Sequence, residues 1–161
     1  MTKRFFLMAV GAAALSTLVA CASIAAPATV TDTVAQTPQL STLTRLIADA
    51  GLAETLRGAG PFTVFAPSDE AFKAVPAETL AKLAADKDLL RSVLTFHVLP
   101  GKVMASDVQT ANVKTVQGAN VAMSKAGTFV TVEDALVQTA DLPASNGVVH
   151  VIDRVLMPPK K

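Results

Sequence analysis

The 161-residue sequence contains no tryptophan, no tyrosine, one cysteine (Cys21) and two histidines (His97 and His150). Each scarcity removes a class of function. Beyond the N-terminal segment only five phenylalanines remain, Phe62, Phe65, Phe72, Phe96 and Phe129, so there are few rings on which a base or a sugar could stack. A lone cysteine cannot close an intramolecular disulfide, and a stable domain must rest on its apolar core. Two isolated histidines do not supply the three or four closely spaced ligands of a zinc site, and neither accompanies a nucleophile-elbow sequence. Charge is also sparse. The 14 basic and 13 acidic residues give +1, and without Lys3 and Arg4 the balance is 12 against 13, or −1. Nucleic acid, whose binding is driven by clustered Lys and Arg, is therefore not an expected partner.

The short polar clusters read as structure. Asp86-Lys87-Asp88 lacks the further acidic positions and the glycine of a calcium loop and suits a helix cap. Gly58-Ala59-Gly60 is followed by Pro61 and a strand, not by the helix N-terminus that a phosphate cradle requires. Asp69-Glu70 favours the positive end of a helix dipole, while Glu133-Asp134 and Ser145-Asn146-Gly147 are turn sequences. No catalytic set, cofactor or metal is expected, and the protein is not expected to be an enzyme.

What the sequence does have begins with its N-terminus. Lys3 and Arg4 precede an uncharged run from residue 5 to 20 that ends in small side chains, the build of an export signal and short for a membrane span. Leu18-Val19-Ala20-Cys21 resembles a bacterial lipobox, making Cys21 a lipidation candidate; the alternative is an ordinary signal cleaved near residue 26. Acylation would anchor the domain without a spanning helix. The expected organisation is a signal at 1–20, a flexible Ala-, Thr- and Pro-rich linker at 21–38, one domain at 39–158 and a tail at 159–161.

Within the domain, Leu43, Leu46 and Ile47 recur at helical spacing behind a capping Ser41 in residues 40–50. A short helical turn at 52–57, a buried strand at 62–66 and a helix capped by Ser68 follow. Further helices are expected at 77–84, after Pro76, and from Asp86 or Asp88 to His97. Past Pro100-Gly101 the period becomes two, predicting strands at 102–104, 113–116, 120–124, 128–132, 135–139, 148–152 and 155–157. Helices first and strands second give an α+β fold with a mostly antiparallel sheet. The strands at 63–66 and 148–152 are apolar enough to lie side by side in the interior, with Gly147 supplying a backbone angle that a side chain would forbid. His97 is expected to be a buried structural histidine, and His150 an ordinary strand residue facing away from Val149 and Val151.

Three segments together carry a resemblance. Thr63-Val64-Phe65-Ala66-Pro67-Ser68-Asp69-Glu70-Ala71-Phe72, then Phe96-His97-Val98-Leu99-Pro100-Gly101, then Asn146-Gly147-Val148-Val149-His150-Val151-Ile152-Asp153 running on to Pro158, are similar in order and spacing to the signatures of the fasciclin domain. The resemblance implies a wedge of two mostly antiparallel β-sheets with helices packed along it, no catalytic centre, and adhesion or matrix contact outside the cytoplasm with a protein or cell-surface partner. It implies that Thr63, Phe65, Pro67, Asp69, Phe72, Asn146, Gly147, His150 and Asp153 serve mainly the scaffold. It also makes Phe96 and His97 the candidate interaction region, although Phe96 stands where the family usually has tyrosine, so the receptor binding linked with that Tyr-His pair is not carried over. Some proteins of this kind carry apolar molecules, which makes a carotenoid or lipid ligand the alternative function.

Overall fold

A computed structural model describes residues 28–158. The signal, Cys21, most of the expected linker and the tail at 159–161 lie outside the described residues. The first described element overturns part of the linker: Val30–Gln36 is a helix, α1, with Val30 and Val34 fully buried. Its Val- and Thr-rich sequence has little helical propensity. Burial of those valines and a capping box stabilise it instead: Thr29 accepts from the Asp32 amide while the Asp32 carboxylate accepts from the Thr29 amide.

A 3₁₀ turn (Pro38–Leu40) leads into α2 (Ser41–Asp49), followed by α3 (Ala53–Arg57), strand β1 (Phe62–Pro67), and helices α4 (Asp69–Lys73), α5 (Ala77–Ala85) and α6 (Lys87–Phe96). The remaining strands are β2 (Val98–Pro100), β3 (Ala111–Lys114), β4 (Asn120–Ala126), β5 (Phe129–Val132), β6 (Ala135–Ala144) and β7 (Gly147–Ile152). Their order is β2-β1-β7-β6-β5-β4-β3, with β1 and β7 parallel and every other neighbouring pair antiparallel. The two expected sheets are thus halves of one seven-stranded ladder. They join at β6, whose first residues pair with β5 and whose remainder pairs with β7 across two register irregularities; such bulges bend a strand and raise its twist. The ladder curls until the chain just past β3 returns to the other edge, the Val116 amide donating to the Val98 carbonyl at 2.8 Å.

Residues 102–104 and 155–157, expected as strands, are irregular, and β2 was not anticipated. Both irregular stretches are held by side chains rather than by a ladder: Val103 bonds to Thr63 and His150, and Leu156 to His97.

The pairing of β1 with β7, from Phe62 opposite Gly147 to Pro67 opposite Ile152, explains their near-continuous apolar runs, since parallel strands are covered on both faces. Val64, Ala66, Val149 and Val151 face the helices and meet Val34, Leu43, Ile47 and Val93. Phe65 and Ile152 belong to a second core with Phe96, Leu99, Val121, Val132 and Leu156, enclosed by the curl of the sheet. No helix among the described residues is long and apolar enough to cross a membrane.

Candidate functional site

The signature polar residues are spent on holding the scaffold together. Buried Thr63 donates its hydroxyl to the Gly101 carbonyl at 2.7 Å and accepts from the Val103 amide at 2.8 Å, fixing the loop after β2. Asp69 supplies what α2 lacks. The residue before α2 is Leu40, which has no capping side chain, and Asp69 reaches across from α4 to accept from the Thr42 amide and the Ser41 hydroxyl, both at 2.8 Å. Ser41, expected as the cap, is itself the first helical residue. Partial burial pushes the Asp69 carboxyl up, but these bonds to Thr42 and Ser41 outweigh it and leave its pKa below the ordinary value. Ser68 caps α4 as expected. Phe65 and Phe72 fill the two cores, and Pro67 ends β1.

Asn146 ties three segments to one point. Its Oδ1 accepts from the Val30 amide at 2.8 Å, and its Nδ2 donates to the carbonyls of Leu56 at 2.7 Å and Gly58 at 3.0 Å. Next to it, Gly147 corrects the expected backbone-angle role, because it has no positive φ. A Cβ there would instead stand 2.0 Å from the Phe62 carbonyl oxygen, so the glycine permits β1 and β7 to approach. At the other end of β7, Asp153 exchanges two bonds with Leu136, its carboxylate accepting at 2.7 Å and its amide donating at 3.1 Å.

Both histidines are 2% exposed and their tautomers follow from their partners. His97 accepts on Nε2 from the Leu156 amide at 2.9 Å, so Nδ1 carries the proton and donates to the Val93 carbonyl at 2.7 Å. His150 is the reverse: Nδ1 accepts from the Asp141 amide at 3.1 Å, and Nε2 donates to the Val103 carbonyl at 2.8 Å. Burial drives the His97 pKa down to about 4, against a smaller upward pull from the Val93 carbonyl. His150 is likewise lowered by burial, opposed by its bond to Val103 and by the Asp141 carboxylate 4.0 Å away. Its ring lies on the face opposite Val149 and Val151, stacked on Phe65 with centroids 5.7 Å apart. It is therefore a structural pin of the same kind as His97, where the sequence suggested an ordinary strand residue.

One surface left for contact lies beyond the ends of β1 and β7. An open groove of about 420 Å³ runs between the α4–α5 connection (Ala74, Val75, Pro76) and the segment after β7 (Arg154, Val155, Met157). A smaller, more polar depression of about 300 Å³ continues past Arg154 to Glu133 and Asp134. Met157, 50% exposed, and Phe129, 63% exposed, are large apolar side chains left on the surface. No group of three His, Cys, Asp or Glu comes together among the described residues to hold a metal ion.

The Fasciclin domain family model matches residues 38–158, the span that contains all three signatures. The chain belongs to the fasciclin family. Protein sll1483 of Synechocystis is 41% identical over 146 residues, covering 89% of this chain and 81% of that protein. Cell surface glycolipoprotein MPT83 of Mycobacterium tuberculosis is 39% identical over 127 residues, 76% of this chain and 57% of the relative. Transforming growth factor-beta-induced protein ig-h3 of Sus scrofa is 38% identical over 132 residues, 81% of this chain but 19% of that much longer protein. A solved pair of these domains from the insect cell adhesion molecule fasciclin I superposes with a TM-score of 0.68 at 16% identity, over 81% of this chain and 51% of that one. That likeness supports the α+β fasciclin fold.

In this fasciclin domain the central pair is not a surface. Phe96 and His97 are each 2% exposed, Phe96 within the second core and His97 under the segment that carries Leu156. The candidate interaction region expected there is overturned by burial. The groove at 154–157, which the sequence reading passed over, borders the end of the third signature. Its only signal in the sequence is Arg154 interrupting an apolar stretch.

Proposed function

We propose that this fasciclin domain is a non-enzymatic, extracytoplasmic adhesion or interaction module, held at a bacterial envelope through its N-terminal residues and contacting a protein or matrix partner. The observation that carries the reading is the opposition of the two ends of β1 and β7. The chain enters where both strands begin: the Ser145 amide donates to the Ala28 carbonyl, and Asn146 holds Val30. The groove lies where both strands finish, about 17–20 Å away for strands of this length. A domain tethered by its N-terminus would present the groove end outward. Relatives described as cell-surface glycolipoproteins support the same compartment. Anchoring itself is assigned to acylated Cys21, with removal of the cysteine by cleavage near residue 26 as the alternative, and mass spectrometry of the mature N-terminus separates the two. The reading is tested by deleting the gene and measuring aggregation, biofilm and surface attachment. Loss of attachment that is restored by the wild-type protein is expected, and unchanged attachment refutes an adhesive role.

A second reading, carriage of an apolar small molecule such as a carotenoid or lipid, is favoured by the groove, whose lining is mainly apolar and whose size suits a small ligand. Protein purified from its own host is expected to yield an extractable lipid or visible absorption on this reading.

A further inference from the structure

We propose that the groove between α4–α5 and residues 154–157 takes an apolar molecule bearing a single carboxylate, an acyl-chain acid, with the carboxylate at Arg154. The proposal rests on the second reading above and specifies its ligand class. Ala71 and Ala74 are small enough to leave a channel, while Val75, Val155 and Met157 give it apolar walls. Methionine is unbranched and adapts to chains of differing shape. Arg154 lines both the groove and the depression beside it, and among the described residues it forms no ion pair and no side-chain hydrogen bond. Arg57 pairs with Asp32 and Glu54, Lys73 with Glu70, and Arg91 donates to the Ala50 carbonyl, whereas Arg154 shares that lack of a partner with Arg45, Lys82, Lys87, Lys102 and Lys114 and differs from them in lining the groove. A guanidinium beside apolar walls offers a planar, two-donor match to a carboxylate.

The acids bordering the depression set the limit on charge. Glu133 is occupied, its carboxylate accepting from the Ala122 amide at 2.7 Å, and Asp134 lines the same depression with it, beside Arg154, Val155 and Met157. A ligand with one negative charge at Arg154 is accommodated, and a dianion reaching further would meet both carboxylates.

The test is calorimetric titration of the full mature chain with decanoate, decanol and decyltrimethylammonium. Binding of decanoate, at least tenfold weaker decanol, and no uptake of the cation are expected. Arg154→Gln should weaken decanoate at least tenfold and leave decanol unchanged, and Ala74→Phe, at an exposed position, should fill the channel and remove both. Thermal unfolding of each variant verifies that it folds. Equal affinity of the wild type and Arg154→Gln for decanoate would overturn the carboxylate assignment while leaving apolar carriage standing. Failure of the wild type to bind decanoate or decanol overturns both.

Discussion

Two buried histidines make this domain acid-sensitive in a defined window. His97 titrates at about 4 in the folded protein and near 6.5 when exposed, so between those values the unfolded chain takes up a proton that the folded one resists. Stability is complete above pH 6.5 and falls as the pH drops toward 4, by about 3 kcal/mol from His97 alone. His150, lowered for the same reason, adds to the loss, while Asp69 and Asp32 extend it below the carboxylate range. Urea midpoints at pH 7, 5.5 and 4.5 should decline steadily, and less steeply in His97→Gln; a midpoint independent of pH over that range would contradict neutral buried rings. Gly147 gives the second prediction at this scale. Gly147→Ala places a methyl 2.0 Å from a backbone oxygen, which cannot swing away as a side chain would, so β1 and β7 must separate. A loss on the order of 3–5 kcal/mol is expected, measured by denaturant unfolding.

Among the elements, α1 is the one whose stability comes almost wholly from packing. Removing residues 28–37 uncovers the face of α2 and β7 that Val30 and Val34 cover and leaves Asn146 without the Val30 amide. Each buried valine is worth about 1.5–3 kcal/mol. The shortened domain should therefore lose at least about 3 kcal/mol relative to the longer form, read from its urea midpoint, and should aggregate. Most of the architecture was readable from sequence because the signals were strong: Ser68 before α4, Asp86 before α6, the leucine spacing of α2, and the apolar runs of β1 and β7. The failures have physical causes. Helix α1 hides in a Thr- and Val-rich stretch, and only the Thr29–Asp32 spacing of its capping box betrays it. Strand β2 is three residues long and has no period of its own. The burial of His150 cannot be read from alternation alone, because both faces of a parallel strand are covered. The groove is built from residues more than seventy positions apart, such as Ala74 and Met157, so no local pattern announces it.

At the scale of the molecule, the two cores are not independent. Strands β1 and β7 present one face to each, so neither core can open without exposing the strands that close the other. Unfolding is expected to be a single cooperative transition, with far-UV circular dichroism and calorimetry giving one midpoint and a calorimetric enthalpy equal to the van't Hoff value. Docking of α1 would also govern how far a form acylated at Cys21 could roam. Had the chain been free up to residue 38, an acylated Cys21 would leave the domain on a long, slack leash. With α1 docked, Cys21 stands seven peptide links before Ala28, a span of at most about 25 Å. A fasciclin domain acylated at Cys21 would be confined to a thin layer directly above the membrane, and a partner would have to come to it.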